Sequence, residues 1–230
     1  MQYEQQEMNG AGWNAANAGL RTDQIVQVLV QSAMLSCSAH FLGVFAADQI
    51  PSADTLIESS PSWLYRHSLH GVVKGFVANT DPSNAPGSHW VAFVSRGSVN
   101  TIDYFDSYGF PLSTYVVLHA ECTRRGYFKY PNEIRTINEN QLQDFDSVAC
   151  GHYCILFLDR VFRCKEHSSV QVVARLRGSS SSTTQRDKSV VDAVNMLRHR
   201  YQHRSAATCD SACITDESCN QCCVAHTHPC

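Results

Sequence analysis

The stretch that decides the fold is S147-V-A-C-G-H-Y-C-I-L-F-L158. Its twelve residues carry no formal charge, and the apolar side chains after Cys150 predict a buried helix that reaches about Arg163. A cysteine therefore stands at the expected start of a buried helix. Free cysteine is among the most buried residue types, so packing is one explanation. The other explanation is a nucleophile, and the rest of the sequence has to decide between the two.

A cysteine reacts as its thiolate, and an unperturbed pKa of about 8.5 leaves the thiol mostly protonated near neutral pH. A helix N-terminus favours negative charge, and an adjacent imidazolium does the same. Cys150 has the first of these if the helix begins there, and Gly151 keeps the approach to its thiol and amide uncrowded. A nucleophile also needs a histidine and a third group that orients the histidine.

The best-placed of the eleven histidines is His89, which opens a predicted strand at residues 89–94. A turn with a glycine follows, and a second predicted strand, residues 101–106, returns and ends in Asp106. Two neighbouring strands can present an imidazole and a carboxylate side by side. The hairpin therefore predicts a His89–Asp106 pair.

Alternatives remain open for each of these positions. Asp103 is a rival acid near the end of the same strand, although it lies on the other strand face. His152 is two residues from the thiol, and residues at that spacing on a helix do not face each other. Taken alone, His89 could be an ordinary histidine at a strand edge.

The order of predicted elements is helix–sheet–helix without regular βαβ alternation, which favours an α+β domain. Other predicted elements are a helix from Thr22, a strand or extended segment at 40–48, helices at 112–125 and 187–197, and a short strand at 134–137. Residues 51–87 contain several Ser, Pro and Asn, with one helical turn anchored by Trp63, Leu64 and Tyr65. We expect a flexible N-terminus (1–21), a domain (22–204) with a flexible loop at 178–186, and a Cys/His-rich tail (205–230).

The amino-acid composition limits the classes of protein to which this chain can belong. A hydrophobic fraction of 43% is enough for a real core, and neither a signal peptide nor a membrane span is evident, so we expect an intracellular, soluble protein. Residues 120–204 hold 14 basic and 9 acidic residues. This excess is typical of a solvated helix face, and weak DNA binding is the alternative.

Eleven cysteines are distributed unevenly, because six of them lie in residues 209–230. We therefore expect the cysteines of the main domain to be reduced. The tail offers ligands for zinc, of which the first four are Cys209, Cys213, Cys219 and Cys222. An oxidation-prone extension without metal is the other interpretation.

Four stretches together resemble the adenovirus maturation protease (adenain) family and, more distantly, the SUMO-deconjugating proteases. They are G87-S-H-W-V-A-F93, Y104-F-D-S-Y-G-F110, Gln143 seven residues before Cys150, and C150-G-H-Y-C-I-L-F-L158. Order and spacing agree with the family, which has its acid 17 residues after the histidine, as Asp106 is after His89. The resemblance implies an α+β cysteine-protease fold, with a central mixed sheet packed against a buried helix that bears the nucleophile.

The resemblance also implies roles. Cys150 would be the nucleophile, His89 the base and Asp106 its orienting acid, where adenain has a glutamate. Gln143 and the Cys150 backbone N–H would form the oxyanion hole. Trp90, Gly43 and Gly151 would border the substrate groove.

The implied function is a thiol endopeptidase that cleaves Gly-containing sites in structural precursors of a virus or virus-like element. It would act in the host nucleus or cytoplasm, or packaged in a virion, and its chemistry would need no cofactor. DNA or a peptide could activate it, but no cysteine between Cys122 and Cys150 is available for a disulfide-linked peptide. The alternatives are an isopeptidase for a ubiquitin-like modifier, although A149-C-G stands where SUMO proteases have D-C-G, and an inactive nucleic-acid-binding or assembly module.

Overall fold

A computed structural model describes residues 19–36, 39–57, 72–96, 101–129, 133–163, 168–178 and 182–205. Within these ranges the α-helices are α1 (Thr22–Met34), α2 (Ala53–Ile57), α3 (Val116–Arg124), α4 (Cys150–Arg163), α5 (Ser169–Arg177) and α6 (Thr183–Ser205). The strands are β1 (Ala39–Phe45), β2 (Val73–Asn79), β3 (Trp90–Arg96), β4 (Thr101–Phe105) and β5 (Glu133–Thr136). Short 3-10 turns lie at Ala47–Gln49 and Leu112–Thr114.

The five strands form one mixed sheet in the order β1-β2-β3-β4-β5. The central pairs β2–β3 and β3–β4 are antiparallel, and the outer pairs β1–β2 and β4–β5 are parallel. The predicted hairpin is thus confirmed as β3–β4. His89 immediately precedes β3 and Asp106 immediately follows β4, so both lie at the same end of this hairpin.

Helix α4 is buried between the sheet and the other helices. It packs on β1, β2 and β3 on one side and on α1, α5 and α6 on the other. Twelve of its fourteen residues are buried, which confirms the buried helix predicted from residues 147–158. A second apolar cluster covers the opposite face of the sheet, where Phe76 and Phe93 stack with centroids 4.8 Å apart. The α+β layering expected from the sequence is therefore present.

One central strand was not predicted. Strand β2 lies within the Ser-, Pro- and Asn-containing segment 51–87, for which the sequence predicts only one helical turn. Six of its seven residues are buried because it is covered on both faces. Such a strand shows no alternation of polar and apolar residues, and Gly75 further weakens the pattern. The helical turn expected at Trp63–Tyr65 lies outside the described residues.

Several element predictions need correction. The segment 112–125 is divided, because Tyr115 has a non-helical backbone (φ −102°, ψ 89°) between the 3-10 turn and α3. The loop expected at 178–186 ends early, since α6 begins at Thr183, where the Ser182 hydroxyl accepts from the Gln185 N–H at 3.3 Å. Helices α2 and α5 were not predicted. The extended segment at 40–48 ends as a strand at Phe45 and continues as a 3-10 turn.

No helix in the described ranges is long and apolar enough to cross a membrane. The N-terminal segment 1–18 and the tail from residue 206 lie outside these ranges. The expected boundaries of the domain, at residues 22 and 204, remain predictions.

Helix α4 approaches the sheet closely at Gly75, so we expect a larger side chain at this position to destabilise the fold. A Cβ at Gly75 would stand 3.0 Å from Leu158 Cδ2 and 3.1 Å from the Phe93 carbonyl oxygen. We expect Gly75→Ala to lower the free energy of unfolding by about 1–3 kcal/mol, because the helix would have to shift. Urea unfolding measures this change. Gly19→Ala is the control, since its Cβ would meet Val148 at an ordinary 3.7 Å, and equal costs for the two variants would contradict the packing.

Candidate active site

Cys150 is the first residue of α4 and is buried. The helix N-terminus favours a negative charge at this position. The following residue, Gly151, allows two side chains to approach, because a Cβ there would lie 3.1 Å from Leu20 Cβ and 3.3 Å from Trp90 Cδ1. Trp90 is fixed in turn by donating its Nε1–H to the Leu20 carbonyl at 3.1 Å. The structure therefore brings Trp90 to the Cys150–Gly151 turn.

His89 and Asp106 form a buried pair. His89 Nε2 lies 2.7 Å from Asp106 Oδ1, and the two side chains are 5% and 0% exposed. Because β3 and β4 are antiparallel neighbours, the residues just outside their paired ends meet across the hairpin. The pairing expected from the sequence is thus observed.

Two tyrosines complete the surroundings of the Asp106 carboxylate. The Tyr115 hydroxyl donates to Oδ2 at 2.7 Å, and the Tyr108 backbone N–H donates to Oδ1 at 2.8 Å. Both rings also stack on the His89 imidazole, with centroids at 4.5 Å for Tyr108 and 5.7 Å for Tyr115. Asn138 fixes the backbone by donating its Nδ2–H to the Asp106 carbonyl at 2.6 Å. The carboxylate is therefore fully satisfied and the imidazole plane is fixed.

The imidazole favours its protonated form. Burial on its own would lower the pKa of His89, but the Asp106 carboxylate and then Cys150 outweigh burial and raise this pKa to about 9. Nε2 is occupied by Asp106, which leaves Nδ1 for the thiol. No atom of the described residues meets ordinary hydrogen-bond geometry with Nδ1, although Cys150 is close enough to affect the pKa of the ring.

Gln143 is fully buried beside this pair. Its Oε1 accepts from the Ser107 hydroxyl at 2.7 Å, and its backbone N–H donates to the Ser107 carbonyl at 3.0 Å. Its Nε2 donates to the Ser147 carbonyl at 2.7 Å and makes a long contact of 3.4 Å with the Tyr108 hydroxyl. Since Ser107 follows Asp106, the same turn fixes both the acid and the glutamine.

Helix α6 holds the loop that carries Gln143. Arg186 Nη1 donates to the Leu142 carbonyl at 2.7 Å, and Asp187 Oδ2 accepts from the Asp144 N–H at 3.1 Å. Asp187 Oδ1 also accepts from the hydroxyl of Tyr153, on α4, at 2.9 Å. The first turn of α6 therefore connects the glutamine loop to the helix that begins at Cys150.

The surroundings of four other residues near the site are also defined. Asp103 pairs with Arg135 at 2.6 Å instead of facing His89, so it is not the orienting acid in this structure. Burial lowers the pKa of His152 to about 4, and Cys154 is fully buried, where burial raises the pKa of its thiol. Gly43 lies in a bulge of the edge strand β1 (φ +128°), and a Cβ there would meet only the Phe45 ring among the described atoms. Its role in a substrate groove remains a prediction.

Sequence reasoning missed the residues that support the pair and the glutamine. Tyr115, Ser107 and Asp187 act through hydrogen bonds to side chains that are 9, 36 and 34 residues away in the chain. Only the segment Y104-F-D-S-Y-G-F110 contained a signal, because two polar side chains directly follow Asp106.

Metal ligation has no support in the described ranges, where no group of three or more His, Cys, Asp or Glu side chains could hold an ion. The tail residues Cys209, Cys213, Cys219 and Cys222, expected as zinc ligands, lie outside those ranges.

The Tyr115–Asp106 hydrogen bond predicts that removing the Tyr115 hydroxyl lowers stability more than removing a tyrosine hydroxyl that has a neutral partner. Tyr115→Phe would leave Oδ2 of a buried carboxylate without its donor, and we expect the free energy of unfolding to fall by about 1.5–3 kcal/mol. Tyr127→Phe is the matched control, because the Tyr127 hydroxyl donates to the neutral Pro51 carbonyl at 3.2 Å. We expect it to cost about 0.5–1.5 kcal/mol in the same urea titration. A Tyr115 variant as stable as the wild type would contradict the arrangement.

The chain is similar to a known viral cysteine protease. A curated relative, cysteine protease S273R of African swine fever virus (isolate Tick/Malawi/Lil 20-1/1983), is 33% identical over 87 residues. That match covers 36% of this chain and 32% of the relative, so this chain spans well under half of the relative's length.

The chain is also similar to solved structures, and the first of these shows the same kind of fold. The Chlamydia trachomatis effector protein ChlaDUB1 superposes with a TM-score of 0.51 at 12% identity, over 83% of this chain and 88% of that one. The African swine fever virus pS273R protease has a TM-score of 0.47 at 17% identity, over 80% and 68% of the two chains.

The family described as adenovirus endoprotease (Peptidase_C5) matches residues 60–212. This range includes His89, Asp106, Gln143 and Cys150, and the resemblance expected from the sequence is thereby confirmed. The chain belongs to the adenovirus endoprotease family of cysteine proteases.

Proposed function

We propose that this protein is a cysteine endopeptidase that uses Cys150, His89 and Asp106 as its catalytic groups. The observation that carries the proposal is the buried 2.7 Å His89–Asp106 contact beside a cysteine at a helix N-terminus. A buried ion pair adds little to the stability of a fold, whereas a thiol nucleophile uses a base whose orientation a third group fixes.

In the first half-reaction, the Cys150 thiolate attacks the carbonyl carbon of the scissile peptide bond. A C–S bond forms, and the carbonyl π electrons move to oxygen. Collapse of this tetrahedral species breaks the C–N bond, and the leaving amine takes the proton of the His89 imidazolium. In the second half-reaction, neutral His89 accepts a proton from water as the water attacks the thioester. Collapse of this second tetrahedral species breaks the C–S bond, the acid product leaves, and the thiolate–imidazolium pair is restored.

The developing oxyanion needs donors. The Cys150 backbone N–H at the helix start is one, and Gln143 Nε2 is the second. One Nε2 hydrogen is held by Ser147 at 2.7 Å, which fixes the amide. The 3.4 Å contact with Tyr108 exceeds the usual range, so the other hydrogen is only weakly engaged and is the one available to substrate.

Cleavage beside glycine is supported by the position of Trp90. Its ring packs against Gly151 at the first turn of α4, next to the thiol. A ring there leaves little width for substrate side chains at the scissile bond. The substrates would be structural precursor proteins of a virus or virus-like element, processed inside the host cell or the particle.

The second candidate is deconjugation of a ubiquitin-like modifier, because the same groups would cleave an isopeptide bond after Gly-Gly. A modifier with a C-terminal electrophile discriminates the two, since a deconjugase forms a covalent adduct at Cys150. Cleavage of a precursor without such an adduct identifies an endopeptidase. Duplex DNA, added in a parallel reaction, tests for an activator.

The proposed roles predict graded losses of activity on a Gly-containing precursor. Cys150→Ala should abolish cleavage, because the nucleophile is absent. Gln143→Ala should lower kcat by on the order of 10²–10³, because one oxyanion donor is lost. Gln27→Ala, at an exposed position on α1, is the control and should keep full activity. Undiminished cleavage by the Gln143 variant would remove this residue from the oxyanion hole, and cleavage by Cys150→Ala would refute the mechanism.

A further inference from the structure

The loop of residues 143–149, here called the glutamine loop, carries the second oxyanion donor but contributes few buried side chains. None of residues 144–148 is buried, and Phe145 and Val148 are 56% and 43% exposed. Segments with few buried apolar contacts open readily in a folded protein. The position of the Gln143 amide therefore depends on hydrogen bonds from neighbouring elements.

The Asp187 carboxylate, near the start of α6, contacts this loop close to both of its ends. Its Oδ2 accepts from the Asp144 N–H at 3.1 Å, directly after Gln143. Burial raises the pKa of Asp187, and the Ser147 hydroxyl, which hydrogen-bonds to the carboxylate, is the largest opposing influence on this pKa. One carboxylate therefore binds the loop both where it begins and shortly before it enters α4.

Both contacts bear directly on the Gln143 amide. Asp187 holds the N–H of the peptide group that follows Gln143. The Ser147 carbonyl is the acceptor that fixes Gln143 Nε2, at 2.7 Å. The Ser147 hydroxyl also accepts from the Ala149 N–H at 3.2 Å, one residue before the nucleophile. Asp187 thus acts on the backbone next to the glutamine and on the residue that holds the glutamine side chain.

The carboxylate is itself held between packed helices. Asp187 is 7% exposed, and its Oδ1 accepts from the hydroxyl of Tyr153, on α4, at 2.9 Å. Further along α6, the buried Tyr201 donates its hydroxyl hydrogen to the Asp159 carboxylate of α4. Helix α6 is therefore fixed to the helix that bears the nucleophile, and Asp187 is a fixed point against which the glutamine loop is placed.

We propose that Asp187 is a positioning residue for peptide hydrolysis, because its carboxylate fixes the glutamine loop and so holds the Gln143 amide towards the developing oxyanion. A donor that is oriented in advance costs no reorganisation when the charge develops. This inference rests on the proposed function, since it takes Gln143 as an oxyanion donor. It gives a residue that does not touch the substrate an effect on the rate of the chemical step.

Kinetics of Asp187→Asn test the proposal. The amide keeps the size of the carboxylate but has one acceptor oxygen in place of two. We expect kcat on a Gly-containing precursor to fall by about 10- to 100-fold, because a small misplacement of a catalytic group is enough for such a loss. KM should stay unchanged, as for a contact made only in the transition state. An unchanged kcat would overturn the proposal.

Two controls separate this effect from a loss of folded protein. Values of kcat are expressed per mole of Cys150 that iodoacetamide labels at pH 6, so that unfolded protein does not count. Asp192→Asn makes the same substitution at an exposed position of the same helix and should change neither kcat nor KM. An equal loss of kcat in the Asp192 variant would contradict the assignment to Asp187.

A double variant decides whether Asp187 acts through Gln143. In the Gln143→Ala background, Asp187→Asn should lower kcat no further, because the donor that it positions is absent. Ser147→Ala is a milder second variant, since it removes one partner of Asp187 and keeps the Ser147 carbonyl for Gln143. Its smaller loss should also vanish in that background. Equal losses in the two backgrounds would make Asp187 a residue that only stabilises the fold.

Hydrogen exchange of the resting protein separates this proposal from the proposed function. In Asp187→Asn, the backbone amides of residues 143–149 should exchange faster than in the wild type, whereas those of β3 should keep their rates. A wild type that cleaves no precursor would refute the endopeptidase, and faster exchange would still keep Asp187 as the residue that fixes the loop. Unchanged exchange of the loop would overturn the proposal even in an active endopeptidase.

Discussion

The buried carboxylate of Asp106 is the constraint on which the rest of the site depends. It is 0% exposed, and leaving such a charge without partners would cost several kcal/mol. Its partners come from three parts of the chain, namely His89 before β3, the turn at Tyr108 after β4, and Tyr115 at the break before α3. These segments have to be in place together before the carboxylate can be buried. The break at Tyr115, which looks like an irregular helix, is what brings its hydroxyl to Oδ2.

The turn after β4 also positions the remaining groups of the site. Ser107 binds Gln143 through both its hydroxyl and its carbonyl, and the loop that follows leads directly into Cys150. Asp187 and Arg186 on α6 hold that loop from the other side. His89, Gln143 and the loop that leads into Cys150 are thus fixed by one connected set of hydrogen bonds. The exposed rings of Phe110 and Phe145 extend from this fixed centre towards solvent.

The sequence could predict the parts of this arrangement that are local. The charge-free run after Cys150 predicted α4, and the alternating segments around His89 and Asp106 predicted the hairpin, because periodicity and turn residues act over a few positions. Strand β2 escaped prediction since it is covered on both faces. The roles of Tyr115 and Asp187 could not be predicted, because a hydrogen bond between distant segments leaves no spacing pattern in a single sequence. Asp103 illustrates the same limit, since only the fold shows that Arg135 is its partner.

The most direct test is the rate at which iodoacetamide alkylates Cys150, measured by mass spectrometry between pH 5 and pH 10 in the wild type and in His89→Ala. The account predicts fast labelling of the wild type already at pH 6, because a pKa of about 9 keeps His89 protonated beside the thiolate. As pH rises through that value, His89 loses its proton and the pair is lost. At pH 6 the wild type should react on the order of ten- to a hundredfold faster than the variant, which has no imidazolium beside the thiol. Equal rates for the two proteins, both rising only at alkaline pH, would contradict the thiolate–imidazolium pair.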